Sequence, residues 1–311
     1  MTLLLFLLGL VMIVKGGDWF LDSIIWIAER TGISYGIIGA TVVSMATTLP
    51  ELFVSSVASN EGFTDMAVGN ALGSYICNIA FIIGICALIK PIKVRDDYFG
   101  IKGAMMFGHL SIFYFFASDG IISFWEGKIL IGLIAVFLVI NLFEYRRESS
   151  EIRKTKTGAL KKKDLIINGG KFALGSAGII IGAHILVSTG VDIANIFRIP
   201  KQVVSLTLLA IGTSLPELVT AFAATVKDKQ NISLGNILGA NILNMTIVMG
   251  VSTAVSHGGL IISKQTLNLD VPIATIVALT FVLSGIFFKK IGRLTGIALL
   301  LIYGLYMQIL F

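Results

Sequence analysis

The chain has 311 residues, 56% of them hydrophobic and 14% charged, and a mean hydropathy of +0.92. That balance excludes a soluble globular domain of this size and identifies a polytopic membrane protein. The net charge of +6 is no sign of a nucleic-acid partner, because the basic residues gather between apolar runs, where they set membrane orientation.

A helix needs about 20 apolar residues to cross the hydrocarbon core. Ten runs meet that length, at residues 3–27, 34–59, 65–88, 99–118, 124–143, 165–190, 201–226, 231–255, 268–287 and 292–310. The first has no basic leader and no small-residue cleavage site, so it reads as a span and not as a removed signal. Its Lys15, Asp18 and Asp22 share one face and read as a local ion pair or as snorkelling groups. The second run carries Ser44, Thr47, Thr48, Pro50 and Glu51; the third carries Ser74 and Asn78. Cys77 and Cys86, with no metal or redox spacing, read as small buried side chains.

Between the fifth and sixth runs, residues 144–164 form a hydrophilic linker with eight Lys/Arg, which belongs in the cytoplasm. Loops on that side hold 18 Lys/Arg and those opposite hold four, with Lys102 counted among the inner loop residues. Both termini are therefore expected outside, with the chain in the cytoplasmic (inner) membrane. The linker is too short to fold alone.

Residues 38–89 superpose on 204–255 at a constant offset of 166, without a gap. Thr47-Thr48-Leu49-Pro50-Glu51 meets Thr213-Ser214-Leu215-Pro216-Glu217; Gly69-Asn70 meets Gly235-Asn236, and Asn78 meets Asn244. The chain is a duplicated half. Five spans per half is an odd number, so the second copy enters the membrane inverted, and in such proteins the substrate site lies near the midplane where broken helices meet. The predicted fold is all-α: ten transmembrane helices in two inverted repeats, 1–143 and 165–311, joined by the linker.

Each proline removes a ladder donor and frees a carbonyl one turn before the acid. Glu51 follows Thr47 by four residues and Ser44 by seven, which puts hydroxyls and carboxylate on one helix face. The second copy repeats this with Thr213, Ser214 and Glu217, and with Ala210 in place of Ser44. Every ligand on offer is oxygen, which suits hard cations such as Ca2+ or Na+ and not zinc or copper. One divalent ion, or two monovalent ions, would balance the two carboxylates, and competition between those loads is the basis of an exchanger. The paired Gly69-xxx-Gly73 and Gly235-xxx-Gly239 motifs are expected to bring ligand-bearing helices close together.

This pattern resembles the cation/Ca2+ exchanger superfamily, most closely its prokaryotic sodium/calcium exchangers, over essentially the whole chain. The two family repeats would be residues 39–84 and 205–250. The resemblance implies Glu51 and Glu217 as central Ca2+ ligands, with the carbonyls of Thr47 and Thr213. It implies sodium sites using Ser44 and Ala210 through main-chain oxygen and Thr48, Ser74 and Ser214 through hydroxyls, with Asn78 and Asn244 beside the middle position. Ca2+ and Na+ would be substrates, with no cofactor, no catalytic residue and no obligate protein partner. Ala240 stands where the family expects a serine, which removes one sodium ligand. A proton/calcium antiporter is the alternative within the superfamily, and a passive cation channel lies outside it; neither Leu-Pro-Glu repeat matches the Gly-Asn-x-x-Glu setting usual in the proton-coupled branch.

Overall fold

The computed structural model describes residues 2–31, 33–94, 98–152, 162–196 and 210–310. Helices dominate: α1 (Thr2–Thr31), α2 (Tyr35–Thr47), α3 (Leu49–Asn60), α4 (Thr64–Ile89), α5 (Phe99–Ala117), α6 (Phe124–Ile152), α7 (Lys162–Ile196), α8 (Ala210–Thr213), α9 (Leu215–Val226), α10 (Gln230–Val255), α11 (Thr266–Phe288) and α12 (Arg293–Leu310). Eight of them are long and apolar enough to cross a membrane, and α2 with α3 makes a ninth crossing bent by 41°. The tenth expected span, 201–226, is described only from Ala210, where α8 and the 12-residue α9 are together shorter than a crossing.

The centre belongs to α4 and α10, whose apolar windows are 72% and 83% buried, against 17–25% for α1, α6, α7 and α12. Side chains on those outer helices face lipid, which is why their apolar stripes are not confined to one face. Close approach is made by small residues. Gly16 of α1 lies against Gly175 and Ile179 of α7, so that these two long helices touch backbone to backbone. A Cβ on Gly235 or Gly239 would strike the α2 carbonyls of Gly36 and Ala40 respectively. No described atom lies within 4 Å of a Cβ placed at Gly69. Positions 202 and 206, which the 166-residue offset pairs with Gly36 and Ala40, lie outside the described residues.

Short strands tie the two halves at opposite ends of the bundle. β1 (Ile92–Lys93) pairs antiparallel with β4 (Lys290–Ile291), and β2 (Ile121–Ile122) with β3 (Leu260–Ile261). Gly84 of α4 packs on α12 and Gly250 of α10 packs on α6, again one contact in each direction between halves.

Several sequence expectations change. Lys102 is no loop residue: it is fully buried on α5 and pairs at 2.6 Å with the equally buried Glu144, which belongs to α6 and not to a solvated linker. Residues 144–152 and 162–164 of that linker continue helices, and 153–161 lie outside the described residues. Asp18 and Asp22 pair across the halves with Lys227, at 3.2 and 2.9 Å, and not locally with Lys15. His109, also on α5, is buried with Nδ1 2.7 Å from Met105 O.

Candidate cation-binding site

The two Leu-Pro-Glu segments break their helices at matching residues. Thr48 (φ −80°, ψ −4°) and Ser214 (φ −85°, ψ 4°) are the hinges, and Pro50 and Pro216 stand in the first turns of α3 and α9. Lacking an N–H, Pro50 has no donor for Ala46 O, nor Pro216 for Gly212 O. The ladder resumes around the gap: Thr48 N donates to Ser44 O at 2.9 Å, Leu52 N to Thr48 O at 3.1 Å and Leu218 N to Ser214 O at 3.0 Å. Glu51 and Glu217 thus fall in the first turns of new helices, where the positive end of the helix dipole favours a carboxylate.

Ten of the eleven expected site residues are buried: Ser44, Thr47, Thr48, Glu51, Ser74, Asn78, Thr213, Ser214, Glu217 and Asn244 are each 7% exposed or less. Ala210 opens α8, and its side chain lies outside the described residues. Ser214 lies beside the Glu51 carboxyl and Thr47 beside that of Glu217, and the Glu217 charge reaches Glu51. The Ser44 hydroxyl is spent on its own helix, donating to Ala40 O at 2.7 Å, so only its main-chain oxygen is left to face an ion.

Two crossed hydrogen bonds hold the halves together at this depth. Thr47 Oγ1 donates to Asn236 Oδ1 at 3.1 Å, and Thr213 Oγ1 donates to Asn70 Oδ1 at 3.2 Å. Each pair is the 166-residue image of the other. The amide ends are fixed in turn: Asn70 Nδ2 donates to Ser55 Oγ (2.9 Å) and Glu51 O (3.3 Å), and Asn236 Nδ2 to Thr220 Oγ1 (3.1 Å). Asn78 Nδ2 donates to Asn241 Oδ1 at 3.0 Å, while Asn241 Nδ2 reaches Tyr75 O at 3.2 Å. Asn70 and Asn236 were visible in the sequence only as repeat markers, and Asn241, whose offset image is Tyr75, was not among the matched positions. Their signal was a polar residue at matched or adjacent positions inside the most buried helices.

The site is not symmetric. Ser74 Oγ lies 3.4 Å from both Glu51 Oε1 and Thr213 Oγ1, bridging the halves, and its counterpart Ala240 has no hydroxyl to do the same. Asn78 and Asn244 each sit at the start of a π-helical stretch, Cys77–Ile83 and Asn244–Val248. Such turns leave a carbonyl off the i→i+4 ladder and are frequent at functional positions.

Six buried oxygens of the expected site residues have no hydrogen-bond partner: Thr48 Oγ1, Glu51 Oε2, Asn78 Oδ1, Ser214 Oγ, Glu217 Oε2 and Asn244 Oδ1. An unmet buried polar atom costs about 1–3 kcal/mol, more when charged, so such a concentration signals a ligand. The donor set is two carboxylates with neutral oxygens, and Ca2+ takes six to eight such ligands. Among the described residues no group of three or more His, Cys, Asp or Glu gathers in one place. A cavity of about 110 Å3 abuts Thr48 and is otherwise walled by Met45, Leu49, Leu52 and side chains of α10.

The sodium/calcium exchanger protein family matches residues 1–143 and 169–311. The sodium/calcium exchanger MaX1 of Methanosarcina acetivorans is 29% identical over 99% of this chain and 98% of its own. The inner membrane protein YrbG of Escherichia coli is 34% identical over 90% of this chain and 87% of its own. Among solved structures, the sodium-calcium exchanger NCX_Mj soaked with zero Na+ and Ca2+ superposes with a TM-score of 0.87, at 29% identity, over 100% of this chain and 99% of its own.

Proposed function

The chain belongs to the sodium/calcium exchanger protein family and is a membrane antiporter of cations; we propose that it exchanges Na+ for Ca2+ by alternating access at one shared site. Glu51 and Glu217 are the central Ca2+ ligands, joined by the carbonyls of Thr47 and Thr213. Na+ uses the main-chain oxygens of Ser44 and Ala210 and the hydroxyls of Thr48, Ser74 and Ser214, with Asn78 and Asn244 beside the middle position. The observation that carries this reading is the pair of fully buried glutamates on offset-matched broken helices, next to six buried oxygens that no protein group satisfies.

Two carboxylates in a buried site repel unless neutralised. One Ca2+ cancels them; Na+ ions do the same in larger number, so the two loads exclude each other and the empty, doubly charged site is a poor state in which to cross. That penalty couples the fluxes. The fold we assign is ten helices in two inverted five-helix repeats, 1–143 and 165–311, whose connection begins as the helical end of α6 and finishes as the start of α7. The crossed Thr–Asn bonds and the two strand pairings support it, since each has its image in the other half. Both termini lie outside and the basic ends inside, in the cytoplasmic membrane.

The test is Ca2+ uptake into proteoliposomes loaded with Na+, K+ or acid buffer and diluted into choline medium. Uptake from Na+-loaded vesicles alone is expected. Uptake driven by a proton gradient without Na+ would make the glutamates proton carriers and overturn the coupling, and Ca2+ flux without any counter-ion would mean a channel.

A further inference from the structure

Away from the cation site, at the end of the bundle where β1 and β4 meet, a cavity of about 470 Å3 opens between the start of α2, the end of α4 and the turn from α9 to α10. Tyr35, Lys90, Lys93, Asp228, Lys229 and Gln230 line it. Among the described lining residues three ammonium groups meet one carboxylate; Asp228 is paired with Lys90, Lys229 has Glu29 3.9 Å away, and Lys93 is the third. Lys290 extends the positive field, since it is the β-bridge partner of Lys93.

The cavity floor is the first turn of α10, a 26-residue helix. Lys229 is its N-cap residue, with no side-chain cap, and the first turn holds no acid. A cation at the positive end of a helix dipole is the reverse of the favourable arrangement, and it is compounded here by Lys90 and Lys93. Lys229 Nζ is drawn aside, 2.6 Å from Tyr35 Oη and over its ring, with Glu29 3.9 Å away. Gln230 Nε2 is a buried donor without a protein partner. A negatively charged ligand would relieve this repulsion and accept from the donors that converge there. Among the described residues, the one carboxylate lining the cavity is engaged by Lys90.

We propose that this cavity is a binding site for a phosphate-bearing anion, held by Lys93, Lys229, Gln230 and the N-terminus of α10. The volume exceeds that of a bare ion, so the phosphate carries a further moiety that lies against Tyr35. Two sources share the chemistry: the headgroup of an anionic phospholipid and a soluble phosphate compound such as a nucleotide. The ligand would bridge the ends of α4 and α10, the two helices that carry Asn78 and Asn244, and so stiffen the frame of the cation site without touching it. The inference rests on this cavity alone and stands whichever ion drives exchange.

The experiment measures thermal unfolding of the purified full chain, without Ca2+, against titrations of short-chain phosphatidylglycerol, ATP and inorganic phosphate, at low and high salt. A saturable, salt-sensitive rise in Tm is expected with the first or the second, and whichever acts identifies the source. Lys93→Gln with Lys229→Gln, and separately Gln230→Glu, should weaken the apparent affinity by at least about tenfold each, the loss expected when charge-assisted contacts go. Ca2+-induced stabilisation should stay unchanged in both variants, which separates loss of this site from damage to the fold. No shift with any of the three probes, or equal shifts in wild type and Gln230→Glu, overturns the proposal.

Discussion

Replacing Glu217 by Gln keeps the shape of the site and changes its charge from minus two to minus one. Glu217 is 1% exposed, so little solvent is there to screen the change. With Ca2+ bound, the wild-type pocket is neutral and the variant carries one uncompensated positive charge. Breaking a buried ion pair by removing one partner costs about 3–5 kcal/mol. At 1.36 kcal/mol per decade, Ca2+ should bind about 10²- to 10³-fold or more weakly. The apo protein should respond in the opposite sense, because the variant no longer holds two like charges in one buried site. Unfolding of the variant without ions should therefore be unchanged or shifted upward, while the Ca2+-dependent rise in Tm disappears at concentrations that saturate wild type. Tm measured with and without Ca2+ gives both numbers from one preparation. A Glu217→Gln protein that retains the full Ca2+-dependent rise would remove Glu217 from the site; one that unfolds without ions would make it a structural group.

Asn236→Ala should lose the bond from Thr47 and leave that hydroxyl poorly placed, costing about 1 kcal/mol; Asn70→Ala should do the same to Thr213, and Ca2+ uptake should fall in both while the amount of folded protein holds. Gly235→Ala drives a Cβ into Gly36 O and should sharply reduce folded protein, whereas Gly108→Ala, with no described atom within 4 Å, should be silent in the same size-exclusion assay. Lys102→Met alone should destabilise by about 3–5 kcal/mol and the double variant with Glu144→Leu should recover most of it, read as thermal stability. Burial opposes the charge on Lys227, but Asp22 and Asp18 outweigh it and hold its pKa above the ordinary 10.5. Its contribution to stability is therefore present at neutral pH and lost only as pH rises through that raised value. Lys227→Gln should flatten that alkaline limb of the stability profile and leave the profile near neutrality unchanged in slope.

The site we propose was legible in the sequence because the duplication writes it twice. A proline and an acid inside an apolar run are each costly, and finding both again 166 residues later leaves packing as a poor explanation for either. What it hid were the contacts between the copies. Asp18 and Asp22 sit four apart, next to Lys15, and local spacing suggested a pair that the structure replaces with Lys227, over 200 residues away. Lys102 and Glu144 each looked like a loop charge, since each stands near the end of an apolar run; only their mutual burial shows that one neutralises the other. The π-helical turns at Asn78 and Asn244 left no compositional trace.

The departure from symmetry at Ser74 and Ala240 bears on how many Na+ move. Ser74 Oγ sits between Glu51 Oε1 and Thr213 Oγ1, one hydroxyl serving both halves, and the image of that bridge would need a hydroxyl at position 240. Ala240 is fully buried. On our reading the second half therefore lacks one sodium ligand, and fewer Na+ accompany each Ca2+. Two Na+ per Ca2+ is electroneutral, whereas three move one net charge, worth about 2.3 kcal/mol per 100 mV, or about a 50-fold difference in the Ca2+ gradient at equilibrium. Ala240→Ser restores the oxygen with one atom. Measured in vesicles with a potential clamped by valinomycin and K+, the wild-type Ca2+ gradient should be insensitive to voltage and that of the Ala240→Ser variant should follow it. A wild-type gradient that already shifts by about 50-fold per 100 mV would mean that three Na+ bind without this hydroxyl, and that the third ion is held by oxygens of the first half alone.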